Sequence, residues 1–410
     1  MDPVQTIIDK LYKDHFGKMV VVVMYSFRDL DWQRVEDIVQ DAFSSALDDW
    51  RLNGLPLNPA GWIYKAAKNK TINSLKKEKR ITDLSGNENI VTIESRFTES
   101  ILDDQNLRLL FACAHPDLAP KVQVAITLKY VANLRVEAIA KILGMTIDGV
   151  DKLLLRARQK IRNERILFEE VQQPILQSRL PVVHKVIYLL FNEGYKSSWG
   201  KDLLREELCE EALLLNQSIL NSGIGIQETA ALHALMLFNI ARFGSRFGAT
   251  GELIDLENQD RSLWNRDLIQ LACEFLTSSS HNNLSSYHLE ASIACLHATA
   301  ESFQDTDWLT ISQLYKQLLN NNPNPFIELN FSIALFYSGK KDEAFKILET
   351  LERHRFLSQY YLLNLTLGKF YGLQGRHKLA NDYLITALNQ TSHPVEKEFI
   401  RSMADQLGKG

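Results

Sequence analysis

Three observations predict an all-α fold for this 410-residue sequence. Apolar residues recur at helical spacing along nearly the whole chain. Glycine (19 residues) and proline (10 residues) are sparse, whereas an all-β sandwich or barrel needs a turn about every 8–12 residues. Near the end, Gly339 and Gly375 stand 36 residues apart, as do Ala344 and Ala380, and each glycine lies between two apolar helical runs. The length suggests about two to four domains.

Composition narrows the function classes. Hydrophobic residues make up 45% and charged residues 23% of the chain, which is ordinary globular usage. No run of 18 apolar residues suggests a membrane span, and Met1–Gln5 does not begin a signal peptide. The four cysteines (Cys113, Cys209, Cys273, Cys295) are widely spaced with no C-x-x-C, so neither a zinc ribbon nor a disulfide framework is expected. The reading is a cytoplasmic protein without cofactor, metal or membrane partner. The net charge of −4 hides an asymmetry: residues 1–165 hold 25 Lys+Arg against 22 Asp+Glu, and the rest holds 21 against 28. A basic front suits a polyanion, provided its cations cluster.

The elements follow in order. From Arg34 to Trp50, Val35, Ile38, Val39, Ala42, Phe43, Ala46, Leu47 and Trp50 define one apolar helix face. Away from it lie Asp37, Gln40, Asp41 and Asp48. Like charges at i, i+4 repel, so the stripe is either a solubilising surface or a match for a basic partner. A loop with Gly54 and Pro56 follows. Asn58-Pro59 then supplies an N-cap and a proline at the first helical position. The next helix, to about Arg80, carries Lys65, Lys68, Lys70, Lys76, Lys77, Lys79 and Arg80. Lys65, Lys68, Asn69, Asn73 and Lys76 fall opposite Ile63, Ala67 and Leu75. Such a face can track phosphates, and Asn can read base edges; a plain solvated surface is the alternative. Loop chemistry and an acid-rich stretch over residues 81–105 read as a solvated, flexible linker.

Residues 134–162 carry helix-turn-helix patterning. Val136, Ile139, Ala140 and Leu143 face inward on a short helix, Gly144 permits the turn, and Thr146 can cap a second helix. That helix buries Val150, Leu154, Ala157 and Ile161. Its other side presents Gly149, Lys152, Arg156 and Gln159, with Arg158, Lys160 and Arg162 alongside. Lys152 and Arg156 suit guanine edges and the flanking arginines suit phosphates. An ordinary helical hairpin is the competing reading. Gly149 costs up to about 1 kcal/mol inside a helix, which suggests a close approach to DNA or to the first helix.

The order of these pieces resembles a bacterial RNA polymerase sigma factor of the extracytoplasmic-function group. Val35-Glu36-Asp37-Ile38-Val39-Gln40-Asp41-Ala42-Phe43 is similar to that group's region 2.2, which docks on the polymerase clamp. Asn58–Asn73 is similar to regions 2.3–2.4, which melt and read the −10 element, and residues 121–162 to region 4, which reads the −35 element. The group often has Asp where Asn73 stands and Arg at Lys68 and Lys70, so the −10 sequence is not inferred. Ile187–Tyr195 is similar to the signature after region 4 in the subgroup with a C-terminal tetratricopeptide-like domain, and the 36-residue offset agrees with a helical solenoid.

The resemblance implies four segments: 1–80, a region 2 helical bundle; 81–105, the linker; 106–170, the region 4 helix-turn-helix; and 171–410, the tetratricopeptide-like domain. It implies core RNA polymerase (clamp and flap) and promoter DNA as partners, with a protein or peptide partner for the last domain. Core polymerase would be met by Asp37, Gln40, Asp41 and Asp48. The −10 element would be met by Asn53, Asn58, Trp62, Lys65, Lys68, Asn69, Lys70, Asn73 and Lys76. The −35 element would be met by Thr146, Asp148, Lys152, Arg156, Arg158, Gln159 and Arg162. Asn192 and Glu193 end a helix expected to be capped at Gly194; with Tyr195 they are either packing residues or a contact with region 4 or polymerase. No covalent chemistry is expected, since no Walker loop, H-E-x-x-H or nucleophile elbow is present. The competing functions are a helix-turn-helix regulator or a repeat scaffold acting without polymerase.

Overall fold

A computed structural model describes residues 2–27, 30–82, 102–164, 166, 173–197, 202–279 and 284–408. Among them the architecture is all-α, with one isolated antiparallel bridge between Phe247 and Leu253. Most of the expected linker lies outside the described residues; its first two residues end one helix and residues 102–105 already belong to the next. The chain divides into two compact units, residues 1–199 with 204–225, and residues 200–203 with 226–410.

The first unit opens with a three-helix bundle: α1 (Pro3–Ser26), α2 (Trp32–Asn53) and α3 (Pro59–Thr82). Local sequence sets each start. The Asp2 side chain accepts from the Val4 N–H (3.0 Å) ahead of Pro3, Asp31 accepts from the Arg34 N–H (3.1 Å), and Asn58 accepts from the Gly61 N–H (2.9 Å). Each side chain satisfies a donor that helix geometry leaves without a partner. The apolar face expected on α2 is the buried one, from Val35 through Trp50, with Leu47 half-buried. Phe43 meets Tyr12 of α1 edge-on (5.0 Å), and Trp50 meets Trp62 of α3 (5.7 Å). Rings of this size contribute about 1.5–3 kcal/mol each on burial.

The same unit continues with α4 (Leu102–Cys113), α5 (Pro120–Ile126), α6 (Val136–Ile142), α7 (Ile147–Asn163), α8 (Gln173–Tyr195) and α9 (Glu206–Asn221). After α5 the chain winds wider over Thr127–Val131, where the Ala132 N–H donates to the Thr127 carbonyl (3.0 Å). α6 and α7 form the helix-turn-helix. Gly144 sits at φ +60°, where a side chain would be strained. The Thr146 hydroxyl accepts from the Gly149 N–H (3.1 Å), and α7 buries Val150, Leu154, Ala157 and Ile161 as expected. On α6 the buried set is Ala138, Ile139 and Ala140, while Val136 and Leu143 are half-buried.

By packing, the first compact unit runs on to Gly225, so the segment expected from residue 171 onward is shared between the two units, and one expectation is corrected. α8 and α9 pack on α4 and α5, and the Arg179 guanidinium donates to the Phe111 carbonyl of α4 (2.8 Å). Gly194 does not cap a helix. It lies within α8, and a Cβ there would stand 2.8 Å from the Cys209 N and Sγ of α9, so the glycine allows two helices to approach closely.

The second unit holds α10 (Ile226–Ile240), α11 (Arg266–Ser279), α12 (Ser286–Thr299), α13 (Trp308–Asn321), α14 (Pro325–Tyr337), α15 (Lys341–Glu352), α16 (Tyr361–Leu373), α17 (His377–Gln390) and α18 (Pro394–Gly408). The 36-residue offset becomes two helical hairpins. α14 pairs with α15 and α16 with α17, with Gly339 (φ +92°) and Gly375 (φ +75°) at the turns. Ala344 and Ala380 are fully buried at equivalent points. Phe336 and Phe370 stack at 3.7 Å and join the hairpins through a shared core. No described helix is long and apolar enough to cross a membrane.

Candidate nucleic-acid interface

Three polar faces of the first unit stand on apolar ones. On α2, Asp37, Gln40, Asp41 and Asp48 are all exposed opposite the buried stripe, the first three within about one turn and Asp48 about two turns further on. Gln33 donates to Asp37 across one turn (3.4 Å). A carboxylate ridge of this kind offers a cationic protein surface several partners without any desolvation inside the fold.

On α3, Lys65, Asn69, Asn73 and Lys76 are exposed along one line, with Lys68 and Lys70 half-buried beside it. Ile63, Ala67 and Thr71 are buried on the other side, and Thr71 closes its hydroxyl on the Ala67 carbonyl (2.8 Å). Arg34 donates to Ser74 (2.5 Å) and ties α2 to α3. Trp62 is half-buried against Trp50. The two loop asparagines are engaged locally: Asn53 donates to Asp49 (2.9 Å) and Asn58 caps α3. Both remain exposed at the approach to the cationic line.

On α7, Asp148, Lys152, Arg156, Gln159 and Arg162 are exposed. Lys152 pairs with Asp148 at 2.8 Å, fully on the surface, where such a pair contributes about 0.3–0.5 kcal/mol and yields readily to a phosphate or a base. Lys160 donates to the Asp117 carbonyl (2.6 Å) and pairs with Glu164 (3.5 Å). Gly149 has a local reason: a Cβ there would stand 3.0 Å from the Thr146 hydroxyl that caps the helix.

Arg158 departs from the expected set. Its guanidinium does not stand free with the other α7 cations but donates to Glu36 of α2 at 2.9 Å, with both side chains largely buried. The Tyr130 hydroxyl donates to the other Glu36 oxygen (2.8 Å), and the Tyr130 ring meets Trp32 edge-on at 4.6 Å. Burial, with Glu36 beside it, raises the Tyr130 hydroxyl far above the ordinary phenol range, so it remains a donor. Gly17 of α1 lies against the Tyr130 backbone; no Cβ fits there. Tyr130 is thus held by three points of the α1–α2 pair, and Glu36 is shared by two donors from the α4–α7 part of the unit. Sequence patterning did not single out Gly17, Trp32 or Tyr130. Their partners are 94 residues or more away in the case of Glu36, and no short-range signal reports such a pairing.

Of the three residues near Gly194, Asn192 is exposed and Tyr195 half-buried, stacked on Phe191 at 6.1 Å. Glu193 is buried, accepts from the Ser197 hydroxyl (3.3 Å), and faces the interior rather than a partner.

Residues 13–81 match the family Sigma-70 region 2, residues 108–161 match Sigma-70, region 4, and residues 179–280 match a family of unknown function, DUF6596. An exposed acidic ridge, a Lys/Asn helix and a capped helix-turn-helix, joined to both sigma matches in one chain, define the class: a sigma factor, which directs RNA polymerase to promoters in transcription initiation. Over 389 residues the chain is 32% identical to an uncharacterized protein of Rhizobium meliloti (strain 1021), a match that covers 93% of this chain and 91% of that protein. The chain belongs to the family of that relative, and in this chain the sigma region 2 and region 4 matches precede the DUF6596 match. No solved structure matches the chain.

Proposed function

We propose that the chain is a sigma factor of the extracytoplasmic-function group whose C-terminal tetratricopeptide-like domain modulates its activity. The observation that carries this reading is the separation of three exposed faces of distinct chemistry on one compact unit. The α2 ridge of Asp37, Gln40, Asp41 and Asp48 meets the polymerase clamp. The α3 line of Lys65, Lys68, Asn69, Lys70, Asn73 and Lys76 holds the −10 strand, with Asn53, Asn58 and Trp62 at the edge where bases leave the stack. A flipped base returns the few kcal/mol of unpairing through stacking and hydrogen bonds. The α7 face of Thr146, Asp148, Lys152, Arg156, Gln159 and Arg162 enters the −35 major groove, and region 4 meets the flap. The protein itself breaks no covalent bond.

Arg158 joins the phosphate contacts only when it leaves Glu36. In this reading the Tyr130–Glu36–Arg158 cluster keeps regions 2 and 4 together in the polymerase-free protein, and holoenzyme assembly parts them. Asn192 and Tyr195 remain available to a partner; Glu193 supports their helix. The test is reconstitution with core polymerase and a fork-junction DNA. Asp37→Lys with Asp41→Lys abolishes holoenzyme formation and leaves duplex binding intact. Loss of both together, or of neither, contradicts the assignment.

A further inference from the structure

The second unit contains a cavity of about 280 Å³, open on one side, between α12, α13, α14, α16, α18, the loop before α13 and the loop between α10 and α11. We propose that this cavity binds a cationic group on a short apolar stem, a guanidinium or ammonium of the kind carried by arginine and lysine side chains or by a free polyamine. The proposal does not depend on the transcriptional reading, because binding is measured on the purified protein alone.

Its walls are aromatic. Trp308 and Tyr337 stack at 4.8 Å and 28°, and Phe303 stands edge-on to both at 5.0 Å. Aromatic faces carry negative partial charge and attract cations, most strongly where water is excluded. The rim is charged. Lys369 is held by Asp255 at 2.9 Å and by Glu257 at 2.6 Å, and the Tyr337 hydroxyl donates weakly to Glu257 (3.4 Å). Two carboxylates around one ammonium leave a net charge of −1, and both remain partly exposed at 21% and 28%. Their free lone pairs can accept further donors, and a fork of parallel N–H groups suits two neighbouring carboxylates.

A second feature points the same way. His297 lines the cavity, its ring edge-on to Trp308 (5.1 Å), and adds a further ring to the wall. Burial, with Arg242 and Arg261 near, pushes the imidazole down to about 3, so it is neutral near pH 7 and adds no positive charge. Neither arginine lines the cavity, and Arg261 donates to the His297 and Ala300 carbonyls. An anionic ligand would face two carboxylates, and a large neutral one would exceed the volume. An alkyl cation matches the size, the aromatic walls and the charge.

The test is calorimetric titration of the full-length protein with three probes: agmatine, N-acetyl-arginine-N-methylamide and a five-residue arginine peptide flanked by glycines. Saturable one-to-one binding is expected for at least one. Agmatine as the best probe identifies a free small cation, and the peptide as the best probe identifies a protein-borne side chain. Lys369→Met removes the internal competitor and should tighten binding by about ten-fold, whereas Glu257→Gln should weaken it by about ten-fold. Should Glu257→Gln lower the melting temperature, Lys369→Met decides alone. Absence of saturable binding by every probe overturns the proposal. So does unchanged or weaker binding to Lys369→Met, or uptake of N-acetyl-glutamate by the native protein that Lys369→Met abolishes.

Discussion

Lys152 and Arg156 carry the argument for groove reading, and their geometry is simple. Both are exposed on α7, where Lys152 pairs with Asp148 on the surface. Replacing both by Ala should cost about 1–3 kcal/mol of discrimination at each base they read and leave helicity unchanged. Fluorescence anisotropy on a promoter duplex against a scrambled one measures this, and an unaltered preference would place the base contacts elsewhere. Thr146→Ala removes the cap on the same helix and should destabilise the first unit by about 1 kcal/mol, read by urea denaturation. A different behaviour belongs to His233, buried in the second unit beside Phe275 (4.7 Å), whose pKa burial lowers to about 4. Unfolded histidine titrates near 6.5, so this residue's contribution is intact above about pH 6.5 and is lost as pH falls toward 4, about 3 kcal/mol in all. His233→Leu should therefore flatten the stability of that unit between pH 7 and pH 4.5; an identical pH slope would show that the loss lies with other groups. The caps at Asn58 and Thr146 and the turn at Gly144 could be read from sequence because each depends on neighbours within three residues. The destinations of Arg158 and Glu193 could not, since nothing nearby in sequence distinguishes a cation aimed at solvent from one aimed at a distant carboxylate.

Helices pack in the first unit around Tyr130. It touches α1 through the backbone at Gly17 and α2 through Trp32 and Glu36, while Arg158 of α7 reaches the same carboxylate. A charge-assisted pair in partial burial contributes about 1.5–3 kcal/mol, enough to hold two elements together and small enough for a partner to displace. Gly17→Ala places a methyl 2.5 Å from the Tyr130 carbonyl oxygen, so region 4 has to move away from α1. Energy transfer between dyes on α2 and α7 should then report a longer distance, with duplex affinity raised as Arg158 becomes available. Glu36→Gln should act in the same direction. Unchanged distances in both variants would remove the latch from the account. Amphipathic periodicity revealed that these helices exist and which faces are buried; α2 and α7 follow it almost residue for residue. It carried no information on which buried face meets which. For the same reason the packing of α8 and α9, which follow region 4 in sequence, against α4 and α5 is seen only in the contacts.

By compact unit, Lys+Arg and Asp+Glu balance at 29 each in the first and stand at 17 against 21 in the second, so the basic excess expected of the front is confined to the exposed faces of α3 and α7. An acidic domain able to compete for cationic faces would alter promoter use when removed. The cut belongs after Gly225, because a stop near Ile166 would strip α8 and α9 from α4 and α5. A chain ending at Gly225 should differ from the full chain in promoter-dependent output in either direction, and equal output with equal promoter choice would leave the second unit without a regulatory part. The helix–glycine–helix offset near the end was legible because Gly339 and Gly375 need a backbone few other residues adopt. The aromatic cavity was not, because its rings come from five separate helices and a loop, α12, α13, α14, α16, α18 and the segment before α13. The most direct measurement of the central claim is run-off transcription with core polymerase, with and without the full chain, on the DNA upstream of its own gene. Initiation at a defined start site only in its presence, lost when Lys152 and Arg156 are both changed to Glu, is the predicted result. Initiation that is independent of the protein, or unaffected by those two reversals, would contradict it.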